Sequence, residues 1–246
     1  MSALTASLRS LLFPGLDLHT RNRGAMRRFW KTGSRDVLDA GSGNGYLAWL
    51  AYRSGASVVA MNRDAGEVAR SRELLLGVRG ADPARLRFEQ RNLYELPSET
   101  RTFDEIICSE VLEHIRRDTE VATQFFRILR PGGYLHLCCP NRLHPRHQAE
   151  VLDEAESGGH VRAGYTESDY RALLEPIGFR IDRVAGIGPA GVYHADRVMR
   201  AVRHHVGDWA ALPLVPFTFP FLWAARLDPP VPFSLYVRAI KPQPAR

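Results

Sequence analysis

The sequence predicts an α/β fold built on a mostly parallel sheet, and two observations carry the prediction. Short β-branched or apolar runs alternate with helix-period stretches five times over about a hundred residues. A glycine-rich turn, GSGNG at Gly41–Gly45, directly follows the first of these runs. Parallel sheets of this kind bind ligands at the carboxyl ends of their strands, so functional residues are expected just after the strands.

In chain order, RDVLDA (Arg35–Ala40) is the first strand, followed by the glycine turn and the helical YLAWLAYRSG. SVVAM (Ser57–Met61) reads as the second strand, with a helix-period stretch from Asp64 to Val78 behind it. RLRFEQ (Arg85–Gln90) and FDEIICS (Phe103–Ser109) are further strands. A helix over Asp118–Leu129 is expected to stop at RPGG, where Pro131 and two glycines cannot continue it, and GYLHLCC (Gly133–Cys139) is another buried strand. Beyond Pro140 the pattern loosens. TESDYRALLEPIGF reads as a helix capped by Thr166, with Asp169 three residues on in a capping-box arrangement. RIDRVAG and FSLYVRAI are late strands. The segment between them, Trp209–Leu227, is very apolar but broken by Pro213, Pro216 and Pro220, so it does not read as a membrane span.

A chain of 246 residues with 45% hydrophobic and 24% charged residues fits one generous domain, and no internal repeat divides it. The net charge is +6, but only Lys31 and Lys241 are lysines among the basic residues, an arginine skew that weakens any argument from overall charge. One local cluster stands out, RNRGAMRRFWK from Arg21 to Lys31. It reads as a solvated amphipathic helix, as a device steering an anionic substrate, or as a contact with an anionic membrane. Cys108, Cys138 and Cys139 all lie in apolar runs without CxxC spacing, which predicts reduced core thiols and a cytoplasmic location. The N-terminus lacks the basic and apolar regions of a signal peptide.

The glycine turn has the form G-x-G-x-G, whereas a dinucleotide fingerprint places a third glycine where Tyr46 stands. Asp39, just before the glycines, argues the same way: its carboxylate repels a diphosphate but accepts hydrogen bonds from an ammonium group. After the fourth strand, EVLEHI places Glu110, Glu113 and His114 at a spacing that puts all three on one face of a helix.

VLDAGSGNG, FDEIICSEVLEHI and LRPGGYLHL, in that order, resemble the class I S-adenosylmethionine-dependent methyltransferases over Asp36–Pro140. That resemblance implies a Rossmann-like fold, with a mostly parallel seven-stranded sheet, helices on both faces and an antiparallel last strand. It implies one domain over residues 1–246. Within it, 1–33 is a helical lid over the cofactor and 34–140 the cofactor-binding core. Residues 141–230 are the substrate side with the apolar insertion, and 231–242 the last strand. S-adenosyl-L-methionine is the implied cofactor. Asp39, Gly41 and Ser42 are expected at its methionine end, Gly43 and Gly45 beneath it, Asn92 and Leu93 near adenine, and Glu110 beside the site. One departure is Asn62, which stands where the family usually has an acidic residue for the ribose hydroxyls; Asn can accept one hydroxyl hydrogen bond and donate another, and Asp64 lies within reach.

EVLEHI is also similar to the E-x-x-E-H stretch of ubiquinone-pathway O-methyltransferases and of terminal-ribose methyltransferases acting on small RNAs. That likeness implies a divalent cation, Mg²⁺ or Mn²⁺, held by Glu110, Glu113, His114 and a later histidine, for which His160 is the first choice. His160, His114 and Glu113 are then the expected catalytic set. His144 and His147 in HPRH are alternative ligands or bases, and His204 and His205 read as a solvated face. Metal-free general-base catalysis by His160 and a purely structural role stay open at this stage. The expected acceptor is a small molecule, lipophilic or glycosidic, methylated at a hydroxyl oxygen. Metal-free N- or C-methylation, and an inactive cofactor-binding or membrane-peripheral scaffold, are the alternatives. Residues 209–227 are expected in the core, at a homodimer interface, or against a lipophilic substrate or membrane surface. A nucleic-acid substrate is not expected: N-P-P-[YF] is absent, and CCPN has the wrong order for a P-C nucleophile.

Overall fold

The computed structural model describes residues 13, 18–33, 35–96, 102–149, 151–153, 155–188, 197–202, 204–205, 207, 212–218, 220 and 231–244. Its centre is a seven-stranded sheet of β1 (Asp36–Ala40), β2 (Ser57–Asn62), β3 (Leu86–Gln90), β4 (Phe103–Ser109), β5 (Leu129–Pro140), β6 (Arg180–Ile187) and β7 (Ser234–Ile240). The spatial order is β3-β2-β1-β4-β5-β7-β6, and β7 runs antiparallel to both of its neighbours. The strand direction and number agree with the expectation from sequence. The order reverses beside β1, where its parallel partners β2 and β4 put the ends of three strands side by side.

Alternation along each strand supplies two hydrophobic layers. Leu38, Val59, Ile106, Leu135 and Val237 face one side and pack on α4 (Asp118–Ile128) and α6 (Glu167–Leu174), through Val121, Phe125, Tyr170 and Leu174. Val37, Val58, Ile107, Cys138 and Tyr236 face the other, against Met26, Trp30, Leu47 and Ala51. Leu47 and Ala51 belong to α2 (Tyr46–Arg53), while α1 (Leu18–Arg23) leads into the 3-10 turn Gly24–Phe29, which carries Met26. The three cysteines are buried free thiols, with Cys108 and Cys139 in the first layer and Cys138 in the second.

Local signals act as expected at α6, where Thr166 Oγ1 accepts from the Asp169 N–H and the Asp169 carboxylate accepts from the Thr166 N–H. They act differently at RPGG. Helix α4 ends at Ile128 because Leu129 already turns extended, and β5 begins there, with Leu129 pairing Phe103 before a register shift. The glycines of RPGG are therefore part of a long irregular strand and not a separate stop. The apolar segment 209–227 lies largely outside the described residues; within it the 3-10 turn Leu212–Thr218 leaves Phe217 exposed. No helix among the described residues is long and apolar enough to cross a membrane.

The end of the sheet remote from the strand termini is tied by one buried polar network. Glu105 in β4 accepts from the Lys31 backbone N–H (2.8 Å), from the Arg35 guanidinium and from His136 Nε2 (3.1 Å), while His136 Nδ1 meets the Tyr236 hydroxyl at 2.8 Å. Burial alone pushes the Glu105 carboxyl upward, but these donors outweigh it and hold the group below the usual carboxylate range. Replacing Glu105 with Gln leaves Arg35 and His136 without a charged partner and is expected to destabilise the protein by about 3–5 kcal/mol. Urea unfolding should show the loss as a lower midpoint at an unchanged m-value.

Candidate functional site

The strand ends open into a cleft of about 480 Å³, within the range of small-molecule sites. Its floor is the loop after β1. Gly41 and Ser42 both donate their N–H groups to the Met61 carbonyl, at 2.9 and 2.8 Å, which fastens the loop to the end of β2. Gly41 sits at φ +79°, and a Cβ there would lie 2.3 Å from a methyl of Val111. Only glycine permits that approach of the first loop to the end of β4. Gly43, at φ +49°, has open space where a Cβ would be and forms part of the cleft wall. Gly45 does not line the cleft; it faces Leu75 and Phe88, which would crowd a side chain there.

Asp39 lies below the loop, buried, with its carboxylate accepting from the Ala48 N–H at 2.8 Å. It anchors α2 against the end of β1 and is not among the cleft-lining residues. Burial, only partly opposed by the Ala48 N–H and the charge of Arg23, pushes its carboxyl up to about 7.

Asn62 does line the cleft, at the end of β2. Its amide donates to Glu67 Oε2 (2.8 Å) and its carbonyl accepts from the Asp64 N–H (3.0 Å). Asp64 is occupied as the N-cap of α3 (Ala65–Arg72), accepting from the Glu67 N–H at 2.6 Å. The acid beside Asn62 on this wall of the cleft is thus Glu67, which the sequence reading overlooked. The available signal was an acidic residue in the first helical turn after an asparagine-terminated strand. Asn92 and Leu93 lie on the cleft wall with Tyr94 and Arg91, and the Asn92 carbonyl accepts from the Tyr94 N–H. Among the described residues, none from 1–33 lines this cleft.

The opposite wall follows β4, and here the local structure departs from the helix that EVLEHI suggests. Glu110 takes a left-handed conformation (φ +56°) held by its N–H on the Cys138 carbonyl (2.7 Å), and only a 3-10 turn, Leu112–His114, follows. The three side chains therefore do not share one face. Glu110 turns toward Ser234, whose hydroxyl donates to it at 3.1 Å. Glu113 and His114 turn to His160. Ligand atoms of Glu113, His114 and His160 all lie within 4.8 Å of one another, and the two imidazoles meet edge to face at 4.6 Å.

Glu113 is fully buried, and neither carboxylate oxygen has a hydrogen-bond partner. Burial first, and the nearby Glu110 charge second, raise its carboxyl well above the usual range; its own backbone N–H, the nearby Cys139 thiol and Arg23 oppose this only in part, and neither the N–H nor the thiol meets it in full hydrogen-bond geometry. His114 Nδ1 lies 2.9 Å from the Gly159 carbonyl, which can only accept, so Nδ1 carries the proton. The lone pair of neutral His114 then resides on Nε2, 4.0 Å from Glu113. His160 reaches the cluster through the loop before it. Val161 N–H donates to the Glu113 carbonyl and Asp153 N–H to the His160 carbonyl, both at 2.7 Å. The Asp153 carboxylate gathers Ser157 and the N–H groups of Ala155 and Gly159, which stabilise its charged form and bring its pKa down to about 2. Glu156, at the crest of this loop, accepts from the Tyr94 hydroxyl across the cleft (3.0 Å).

The other histidines stay apart from this cluster. His144 caps the short helix α5 (Pro145–Gln148) and packs on Phe233, while buried His147 meets the Phe233 carbonyl through Nε2. His204 and His205 are exposed.

Comparison with known proteins gives the chain a family. The methyltransferase domain family matches residues 16–184. A probable S-adenosylmethionine-dependent methyltransferase of Mycolicibacterium smegmatis is 32% identical over 153 residues, 62% of this chain and 55% of that one. The mitochondrial ubiquinone biosynthesis O-methyltransferase of Mus musculus is 26% identical over 162 residues, covering 61% and 43% respectively. The chain thus spans about half the length of the curated relatives it matches. Among solved structures, Haemonchus contortus phosphoethanolamine N-methyltransferase 2 bound to S-adenosyl-L-methionine superposes with a TM-score of 0.64 at 16% identity, over 93% of this chain and 53% of that one. This chain belongs to the class I S-adenosylmethionine-dependent methyltransferases, whose common cofactor is S-adenosyl-L-methionine.

The raised Asp39 carboxyl has a consequence for stability. In the unfolded chain it ionises near 3.8, and in the folded protein near 7. The folded state therefore loses stability as pH rises from about 4 to about 7, on the order of 4 kcal/mol for this one group. Melting temperatures of the wild type and Asp39→Asn, measured from pH 4.5 to 8, should diverge in favour of the variant as pH rises. A constant difference across that range would show that Asp39 does not titrate in this way.

Proposed function

We propose that this protein transfers a methyl group from S-adenosylmethionine to a hydroxyl oxygen of a small molecule, with a divalent cation at Glu113, His114 and His160. The observation that carries the reading is the buried Glu113 carboxylate, partnerless and grouped with two imidazoles beside the cofactor-sized cleft. A negative charge placed there without a partner is costly, and a cation relieves that cost. The ubiquinone biosynthesis O-methyltransferase among the relatives supports oxygen as the acceptor atom.

The cleft suits the nucleoside. Gly43 offers a wall without a side chain, Asn62 with Glu67 presents a donor and an acceptor for ribose hydroxyls, and Leu93 with Tyr94 offers an apolar surface for adenine. Asp39 supports the methionine end indirectly, by fixing α2 and the loop. Two imidazoles and one carboxylate suit Mn²⁺ better than Mg²⁺. When bound, such a cation would lower the pKa of an acceptor hydroxyl and fix its direction. The protein's own contribution is orientation: Gly159 holds the His114 ring with Nε2 toward Glu113, and the Asp153 turn holds His160 opposite. The methyl passes in line from sulfonium to oxygen, and the acceptor proton leaves to solvent or base.

Two measurements test this. S-adenosylhomocysteine at about 100 times its Kd should raise the melting temperature by about 5–10 °C. Mn²⁺ should bind with one site by calorimetry, and Glu113→Ala should abolish that binding and turnover while changing S-adenosylhomocysteine affinity by less than about twofold. Full turnover in excess chelator would falsify the metal assignment and favour metal-free chemistry with His160 as base; a protein that binds the nucleoside but yields no S-adenosylhomocysteine in cell extract would be a scaffold.

A further inference from the structure

Glu113 and His114 stand on the turn after β4, while His160 arrives from a loop far along the chain, so their grouping depends on what ties residues 112–118 to residues 160–165. Two of the ties are single hydrogen bonds, from the Val161 N–H to the Glu113 carbonyl (2.7 Å) and from His114 Nδ1 to the Gly159 carbonyl (2.9 Å). A lone hydrogen bond fixes a distance better than an angle. The third tie is the Arg162 side chain. Its guanidinium donates through Nη2 to the carbonyls of Ile115 (2.7 Å) and Arg116 (3.0 Å), and through Nη1 to the Asp118 carboxylate. Ile115 and Arg116 lie between the 3-10 turn and α4, outside helix and strand, so these carbonyls belong to no ladder. Asp118 is buried at the start of α4. The oxygen that meets Arg162 also accepts from the Tyr165 hydroxyl (2.7 Å), and the other accepts from the Thr119 N–H (2.8 Å). The Arg162 guanidinium lies over the Tyr165 ring at 5.4 Å, and that ring stacks on Tyr170 of α6 at 4.8 Å.

We propose that Arg162 is a positioning residue, whose fork on Ile115, Arg116 and Asp118 sets the placement of His160 against Glu113 and His114. It is absent from the wall of the cofactor cleft, so it acts through the residues beside it and not on a ligand. The planar guanidinium is what the position requires. Its N–H groups point in fixed directions, so contacts to three acceptors on one segment fix rotation as well as distance, whereas a lysine ammonium serves Asp118 only as a point charge. Groups that act together need support of this kind, because a misplacement of about 1 Å costs on the order of a hundredfold in rate. The chemical value of the placement rests on the cation reading above; the placement itself does not.

The test compares Arg162→Ala and Arg162→Lys with the wild type in the full chain carrying isotope-labelled histidine. Magnetic cross-relaxation between the His114 and His160 ring protons reads the placement without any metal, since the two rings meet at 4.6 Å. The contact should be present in the wild type and lost in Arg162→Ala. Arg162→Lys keeps the charge opposite Asp118 and should melt close to the wild type, yet should not restore the ring contact. Mn²⁺ affinity, read by calorimetry, should fall by about 10–100-fold in both variants, while S-adenosylhomocysteine affinity changes by less than about twofold. Absence of the ring contact in the wild type, its persistence in Arg162→Ala, its full recovery in Arg162→Lys, or an equal loss of nucleoside affinity would each overturn the proposal. If the alanine variant does not fold, the lysine variant decides alone. A wild type that shows the ring contact but binds no Mn²⁺ would remove the cation reading and leave the role of Arg162 to be decided by the ring contact.

Discussion

Placing the Glu113 carboxylate under the end of β4, out of water and without a hydrogen-bond donor, is the constraint around which the functional end is arranged. The backbone reaches that position through a left-handed Glu110 and a single 3-10 turn, a path that costs about 1–2 kcal/mol of backbone strain at one non-glycine residue. Val111 on that path closes against Gly41, so the glycine loop and the acidic turn are fitted to each other. The carbonyl of Glu113 holds Val161, and through it the loop that delivers His160. Strain, close backbone approach and an unpaired buried carboxyl group coincide within a few residues, as expected where a structure serves chemistry at the expense of stability.

The contrast within β4 and its extension is instructive. Glu105 and Glu113 are both buried glutamates, but Glu105 receives three donors and stays ionised, while Glu113 receives none and favours its proton. The first arrangement locks the sheet to the segment that precedes β1. The second leaves valence open for something the polypeptide does not itself provide. Desolvation is common to both; the number of donors decides which residue is structural.

Much of this was legible in the chain itself. The β-branched and apolar runs located the strands of the sheet, and the capping box at Thr166 formed as read. His160 was identifiable as the partner of Glu113 and His114, since a residue type and a loop position sufficed. What escaped notice was set by backbone geometry and tertiary fit. The i, i+3, i+4 spacing of Glu110, Glu113 and His114 presumes a helix, but β4 ends in a left-handed residue, so Glu110 diverges toward Ser234 on the last strand. Glu67 was hidden because its relevance depends on a hydrogen bond to Asn62. Gly45 looked like part of a ligand floor, yet Leu75 and Phe88 determine it. The RPGG motif looked like a helix stop, yet pairing with Phe103 drew it into the sheet.

The Asp153 turn carries one last implication. Its donors all come from within the loop, Ala155, Ser157 and Gly159, and converge on one exposed carboxylate. The loop's shape is thus written into its own short sequence, independent of whatever fills the cleft beside it. A ligand arriving there meets a rim whose configurational entropy has already been surrendered during folding, and so retains more of its contact energy as affinity.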